Sequence, residues 1–180
     1  MIFNQENTLN LIIDIQEKLI NSAFNKETIL KNSEILAKTA TILNIPTIIT
    51  EQYPKGLGNT ISSIKQNTNN TLIYEKTDFN AYSNDAVITS IKNLNKKQIF
   101  IYGIETHICV LQTVLALIKN GYDVAVIKDA CGSRNEFEHL SGISYLKSCG
   151  AHIITTEMLL FQLLKSSKHP NFKEIQLLIK

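Results

Sequence analysis

No stretch of the 180-residue chain is apolar for long enough to cross a bilayer, and no dense Lys/Arg stripe interleaved with aromatic residues runs through it. A membrane and a nucleic acid are therefore not expected as partners, and the formal charge of +2 is too mild to argue otherwise. Residues 1–10 lack the basic stretch, apolar run and small-residue cleavage site of a secretory signal, so a cytoplasmic location is expected. Cysteine is scarce. Cys109, Cys131 and Cys149 are too few and too unevenly spaced for a disulfide framework, and none belongs to a C-x-x-C pair, which fits a reducing compartment. There is no internal repeat, and the only biased segment is a short polar cluster at 66–70.

What the chain does have is 44% hydrophobic and 19% charged residues, the balance of one compact domain over 1–180 with a substantial core. Residues 9–15 form a dense apolar run, the mark of a parallel strand buried on both faces, with Asp14 as its charged end. Between 27 and 43 apolar residues recur at three- and four-residue spacing, as on an amphipathic helix. The β-branched run 47–50 predicts a second strand, 71–74 a third, 84–94 a helix and 98–103 a fourth strand. Residues 106–119 read as an apolar helix closed by Gly121, followed by a strand at 122–127 and a helix at 136–149 closed by Gly150. A strand at 151–155 and helical segments to the C-terminus complete the pattern. Strands alternating with helices require crossover connections, so the fold class is α/β, a three-layer α/β/α sandwich on a parallel sheet. The one long irregular stretch, 51–70, carries Pro54, Gly56 and Gly58 and is expected to be functional or mobile.

Ligands of open parallel sheets bind where the strands end. Asp14 ends the first strand, Lys76 follows the third and Cys109 lies just beyond the fourth, so the three converge on one rim, which also receives Glu51 and Asp129. With Thr106 as N-cap, Cys109 falls in the first turn of its helix, where unpaired N–H groups and the helix dipole favour a thiolate. A Lys76 ammonium nearby would lower the thiol pKa further. Taken singly, each residue has an ordinary explanation: Cys109 as a small core hydrophobe, Asp14 as a loop cap, Lys76 as a surface ammonium. Cys131 and Cys149 keep that ordinary explanation. The ordered set Asp, Lys, Cys at the ends of strands one, three and four is what points to chemistry.

Leu11-Ile12-Ile13-Asp14-Ile15-Gln16, Glu75-Lys76 and Gly103-Ile104-Glu105-Thr106-His107-Ile108-Cys109-Val110 resemble the signature segments of the isochorismatase-like cysteine hydrolase superfamily, and the resemblance covers nearly the whole chain. Thr50-Glu51-Gln52-Tyr53-Pro54-Lys55-Gly56-Leu57-Gly58 and the tail His169-Pro170-Asn171-Phe172-Lys173-Glu174-Ile175-Gln176 are similar to its isochorismatase domain-containing branch. The resemblance implies a six-stranded parallel sheet, a Cys nucleophile, an Asp proton shuttle and a Lys beside them, carried here by Cys109, Asp14 and Lys76. It also implies a non-proline cis peptide between Ile104 and Glu105, and an oxyanion hole made of the Glu105 and Cys109 N–H groups. The implied reaction hydrolyses a C–N bond of a small molecule, in an amide, ureide or carbamoyl group. Asp14 takes the thiol proton, Cys109 attacks the carbonyl, and Asp14 returns the proton to the departing ammonia or amine and then activates water against the thioester. Substrate-binding roles fall to Gln16, Glu51, Phe79 and His107. Neither a cofactor nor a metal is expected, and a homo-oligomer is, from family habit and from the apolar segments 158–164 and 175–179.

The match has departures. Nicotinamidases of the superfamily carry an Asp-x-His pair and a later His that bind a divalent metal, whereas this chain has Glu51-Gln52-Tyr53 there and no His before His107. True isochorismatases lack the nucleophilic cysteine, and many relatives have Phe-Ser where this chain has Phe79-Asn80. The competing functions are a nicotinamidase-type amidase and, from another class, a non-catalytic binding protein with a vestigial triad.

Overall fold

A computed structural model describes residues 2–69 and 71–180. Along the chain come β1 (Thr8–Ile13), α1 (Glu17–Asn21), α2 (Lys26–Ile42), β2 (Thr47–Gln52), the short helices α3 (Pro54–Leu57) and α4 (Ser62–Gln66), and β3 (Leu72–Lys76). Then follow α5 (Asp85–Leu94), β4 (Gln98–Ile104), α6 (Leu111–Lys119), β5 (Asp123–Gly132), α7 (Glu136–Ser148), β6 (His152–Ile154), α8 (Thr156–Leu164) and α9 (Phe172–Leu177). The six strands form one parallel sheet in the order β3-β2-β1-β4-β5-β6, the middle layer of an α/β/α sandwich. β1 and β4 are buried at every position, which is why both are predominantly apolar on both faces, with Thr8, Asn10 and Gln98 as buried polar exceptions.

That strand order places the site. The chain winds from β1 outward through β2 to β3, then returns to lay β4 on the other side of β1, so the direction of winding reverses between β1 and β4. A crevice opens at such a reversal, beyond the carboxyl ends of the strands. Gly103 lets the two strands close at this point: its φ is +137°, and a Cβ there would run into the Ile13 carbonyl. Helix ends are set by local chemistry. The side chains of Asn84, Asn135 and Thr155 accept N–H groups at the starts of α5, α7 and α8.

Four expectations need correction. The stretch 51–70 is not irregular, because α3 and α4 occupy much of it; its last residue, Asn70, lies outside the described residues. The strand predicted at 122–127 runs on to Gly132, since β5 is displaced against β4: Ile101 faces Val126, yet Gly103 faces Cys131. The helix carrying Cys109 starts with a π-helical turn, Thr106–Val110, and its N-cap is Glu105, not Thr106. The C-terminal segments read as an interface mostly close the protein's own core: Leu159, Leu160, Leu163, Leu164 and Ile175 are buried, leaving Met158, Phe161 and Leu177 exposed. Among the described residues no helix is long and apolar enough to cross a membrane.

Candidate active site

Asp14 follows the last residue of β1 with φ +51°, in the left-handed region that Asp tolerates better than most residues. Its N–H donates to the Thr50 carbonyl (3.1 Å) and its own carbonyl accepts from Gln16 (2.8 Å), so the backbone turns sharply there while still tied to the sheet. The carboxylate is fully buried. Oδ2 lies 2.6 Å from Lys76 Nζ, and Oδ1 accepts the Thr50 hydroxyl at 2.7 Å.

Lys76 reaches this carboxylate from the end of β3, two strands away, and its side chain is buried with it. Beside Asp14, the ammonium donates to Gln52 Oε1 at 2.6 Å and lies near the carbonyls of Asp78 (3.3 Å) and Phe79 (3.4 Å). A buried ion pair persists when its remaining polar valences are filled. Here Thr50, Gln52 and two carbonyls fill them.

Cys109 sits on the π turn that follows β4, also buried, with both charged groups acting on its thiol. Burial and the neighbouring Asp14 charge push the thiol up to about 12, with Lys76 pulling the other way. This reverses the expectation of a thiol acidified by helix dipole and lysine: the Asp14 carboxylate and the loss of solvent outweigh both. The turn itself is unusual in its hydrogen bonding. The Glu105 carbonyl accepts from Ile108 (3.1 Å) and Val110 (3.2 Å), skipping the Cys109 N–H between them. The Ile104–Glu105 peptide is cis, and among the described residues the Glu105 N–H donates to no backbone acceptor.

The structure therefore brings together Asp14, Lys76 and Cys109, with Glu105 at the head of the turn that carries Cys109. Other candidates have different tasks. Both ends of the Gln16 amide are committed to backbone: Oε1 accepts from Gln52 N–H (2.8 Å), and Nε2 donates to the carbonyls of Gln52 (3.0 Å) and Gly58 (2.6 Å). Gln16 thus ties the 53–61 loop to β2 instead of facing a ligand. Glu51 does the same from the other side, taking Thr60 N–H at 2.7 Å and Lys65 Nζ at 3.2 Å. Burial works against its ionisation, but the Thr60 amide and the Lys65 charge prevail and hold it below the usual carboxylate range. His107 turns its ring to Ser133, with Nδ1 2.9 Å from the hydroxyl. Asp129 is inside β5 rather than at its end, and caps α8 through Thr156 N–H (2.8 Å) and hydroxyl (3.0 Å). The Phe79 ring is exposed, whereas Tyr82 is buried edge-on against Tyr122. Asn80, in place of the usual serine, caps the turn Ala81–Ser83 through Tyr82 N–H (2.9 Å).

A cleft of 320 Å³ opens beside Lys76, lined by Tyr53, Pro54, Lys55, Glu75, Thr77, Asp78 and Asn84. Two residues around Asp14 and Lys76 carry no signal of their own in the sequence: Thr50 and Gln52. Their signal is positional, since polar residues at the end of a strand next to β1 must face whatever β1 ends in.

With this geometry in view, likeness to known proteins is informative. The isochorismatase domain family matches residues 8–158. Isochorismatase family protein 1A of Dictyostelium discoideum is 42% identical over 173 residues, covering 93% of this chain and 84% of that protein. Isochorismatase domain-containing protein 2 of Danio rerio is 37% identical over 170 residues, covering 94% and 85%. A solved Caenorhabditis elegans structure described as MAR1 ribonuclease superposes with a TM-score of 0.95 at 36% identity, covering 99% of this chain and 92% of that one. A six-stranded parallel sheet with its Asp, Lys and Cys at the reversal of strand order, and matches of this extent, have one reading: the chain belongs to the isochorismatase family and carries its hydrolase fold.

Proposed function

We propose that the protein is a cysteine hydrolase that cleaves a C–N bond of a small molecule, an amide, ureide or carbamoyl group, through a thioester on Cys109. The observation that carries this reading is the buried Asp14–Lys76 pair, 2.6 Å apart at the carboxyl ends of the strands, with the buried Cys109 thiol near enough for both charges to act on it. A thiol pushed up to about 12 holds its proton at rest. The base is then used during attack rather than before it: as sulfur adds to the carbonyl carbon, the proton passes to Asp14, and the Lys76 charge that Asp14 no longer neutralises offsets the negative charge developing on the substrate oxygen. The Glu105 and Cys109 N–H groups receive the carbonyl oxygen as it becomes an oxyanion. Asp14 hands its proton to the departing nitrogen, and later removes one from the water that hydrolyses the thioester. The cleft beside Lys76 is the proposed approach for substrate.

A panel of amides, ureides and carbamoyl compounds, run against wild type and Cys109→Ala, tests the proposal. Turnover lost in the variant, together with an acyl adduct on Cys109 by intact mass, is expected. RNA belongs in the same screen because of the Caenorhabditis elegans neighbour's name, and cleavage that survives Cys109→Ala would overturn the thioester reading. Homo-oligomerisation is part of the proposal, supported by the exposed Met158 and Phe161 on α8 and Leu177 at the end of α9. Light scattering that gives a strict monomer would remove it.

A further inference from the structure

Three consecutive residues ahead of the nucleophile are each tied to one short segment of chain, 133–139. The Glu105 carboxylate accepts from Arg134 three times: the backbone N–H (3.0 Å) and Nε (3.1 Å) on Oε1, and Nη2 (2.8 Å) on Oε2. Thr106 Oγ1 lies 2.9 Å from His139 Nδ1, and His107 Nδ1 lies 2.9 Å from Ser133 Oγ. Helix α7 approaches so closely that a Cβ on Gly142 would stand 3.1 Å from His107 Cα. The π turn thus rests on a second element that contributes nothing to Asp14 or Lys76.

Isolated surface ion pairs contribute little, and Arg134 is 62% exposed. The Glu105 side chain is only 12% exposed, however, and one residue's forked guanidinium plus its own amide fill both carboxylate oxygens. Once both oxygens are fixed, and Thr106 and His107 behind them, the Glu105 peptide cannot rotate without breaking those bonds. We infer that Arg134 is a positioning residue, which holds the Glu105 N–H where the oxyanion forms by clamping the side chain of the same residue. The inference rests on the proposed roles of Cys109 and the Glu105 N–H. Oxyanion donors act over a narrow range, about 2.7–3.1 Å from the oxygen, so a small displacement of this peptide is felt in the rate.

Two thiol reagents separate positioning from general damage. Iodoacetamide alkylates by displacement: sulfur bonds to the methylene carbon, iodide leaves, and no oxyanion arises. p-Nitrophenyl acetate acylates by addition: the thiol proton passes to Asp14 as sulfur bonds to the carbonyl carbon, the electron pair moves onto oxygen, and collapse expels p-nitrophenolate to leave an acetyl thioester. Rates for both are read on the Cys109 peptide by mass spectrometry, with Cys109→Ala as blank. Arg134→Ala is expected to slow acylation by about tenfold or more while alkylation stays within about twofold, and Arg134→Lys, which keeps the charge but not the fork, to fall between. Should Arg134→Ala fail to fold, Arg134→Lys and Glu105→Gln read the same ratio. Equal losses in both reactions, or an unchanged acylation rate, overturn the positioning role. A wild-type Cys109 that takes up neither reagent instead overturns the nucleophile reading, and this inference with it.

Discussion

Asp14 and Glu51 lie at the ends of neighbouring strands of the sheet, both are buried, and both are paired with a lysine, yet the proposed function gives one a proton to move while the other holds a loop. Lys76 is 1% exposed and 2.6 Å from Asp14; Lys65 is 36% exposed and 3.2 Å from Glu51. Lys76 is further anchored by Gln52, whereas Glu51 spends the same oxygen on the Thr60 amide and on Lys65. The decisive difference is the third neighbour. Asp14 has a thiol beside it, and Glu51 has the backbone of the 53–61 loop. A carboxylate at a strand end is therefore only a placement; the group it faces gives it a task.

The largest effect that tests this contrast is on turnover. Cys109→Ala should abolish it, and Asp14→Asn should reduce it by about 10²–10⁴-fold, because an amide cannot accept the thiol proton. Glu51→Gln should leave kcat within a few-fold. Loss of turnover in Glu51→Gln equal to that in Asp14→Asn, in folded protein, would erase the distinction.

The next effect is on the thiol itself, and its two arms have opposite signs. The Asp14 charge raises the Cys109 pKa and the Lys76 charge lowers it. Asp14→Asn should therefore quicken iodoacetamide alkylation at neutral pH even as it stops hydrolysis, and Lys76→Met should slow it. In wild type, alkylation should keep rising through alkaline pH instead of levelling off below the ordinary thiol value of about 8.5. A plateau near neutrality would show a preformed thiolate. Lys76→Met should also cost about 3–5 kcal/mol of stability, since it leaves a buried carboxylate unpaired, and denaturant unfolding measures that separately.

The placement of Asp14, Lys76 and Cys109 was legible because each follows a recognisable strand, and the structure brings the ends of those strands to one rim, with Asp14 and Cys109 flanking the reversal between β1 and β4. What escaped was what depends on register and on side-chain partners. Nothing in the apolar pattern of residues 122–127 says that β5 slips against β4 and continues to Gly132, which is what moves Asp129 off the rim. Gln16 and Glu51 resemble ligand-binding residues until the loop that they bind is present, because an amide or carboxylate serves a backbone as well as it serves a substrate. The forces on the thiol divide in the same way: a helix start and a lysine are visible in sequence, whereas the burial and the facing Asp14 charge that push it up are not.

Glu51 should show its task in stability. Its folded-state pKa lies below the unfolded one, so its contribution is present above about pH 4.3 and is lost as pH falls through the folded value. Glu51→Gln should cost about 1–2 kcal/mol at neutral pH, discounted for the solvent around Lys65, and the cost should shrink in acid. Thermal unfolding of both proteins at neutral and acidic pH measures this. A pH-independent difference would mean that the loop is held by something other than the Glu51 charge.

The smallest effect expected is that of metal removal, and it bears on the same two carboxylates. Glu51 sits where metal-binding members of the family carry an Asp-x-His pair, so a cation, if one were needed, would be sought between it and Asp14. Each carboxylate already meets a positive charge: the Lys76 ammonium at 2.6 Å from Asp14 and the Lys65 ammonium at 3.2 Å from Glu51. A divalent ion bound at about 2.0–2.2 Å to either oxygen would have to expel that ammonium and, at Glu51, the Thr60 amide as well. Among the described residues no three His, Cys, Asp or Glu side chains group to hold one. Exhaustive chelation should accordingly leave turnover unchanged within error, with elemental analysis giving less than stoichiometric metal. Stoichiometric metal, with activity lost on its removal and restored on its return, would place Glu51 in the chemistry after all and collapse the distinction between the two carboxylates.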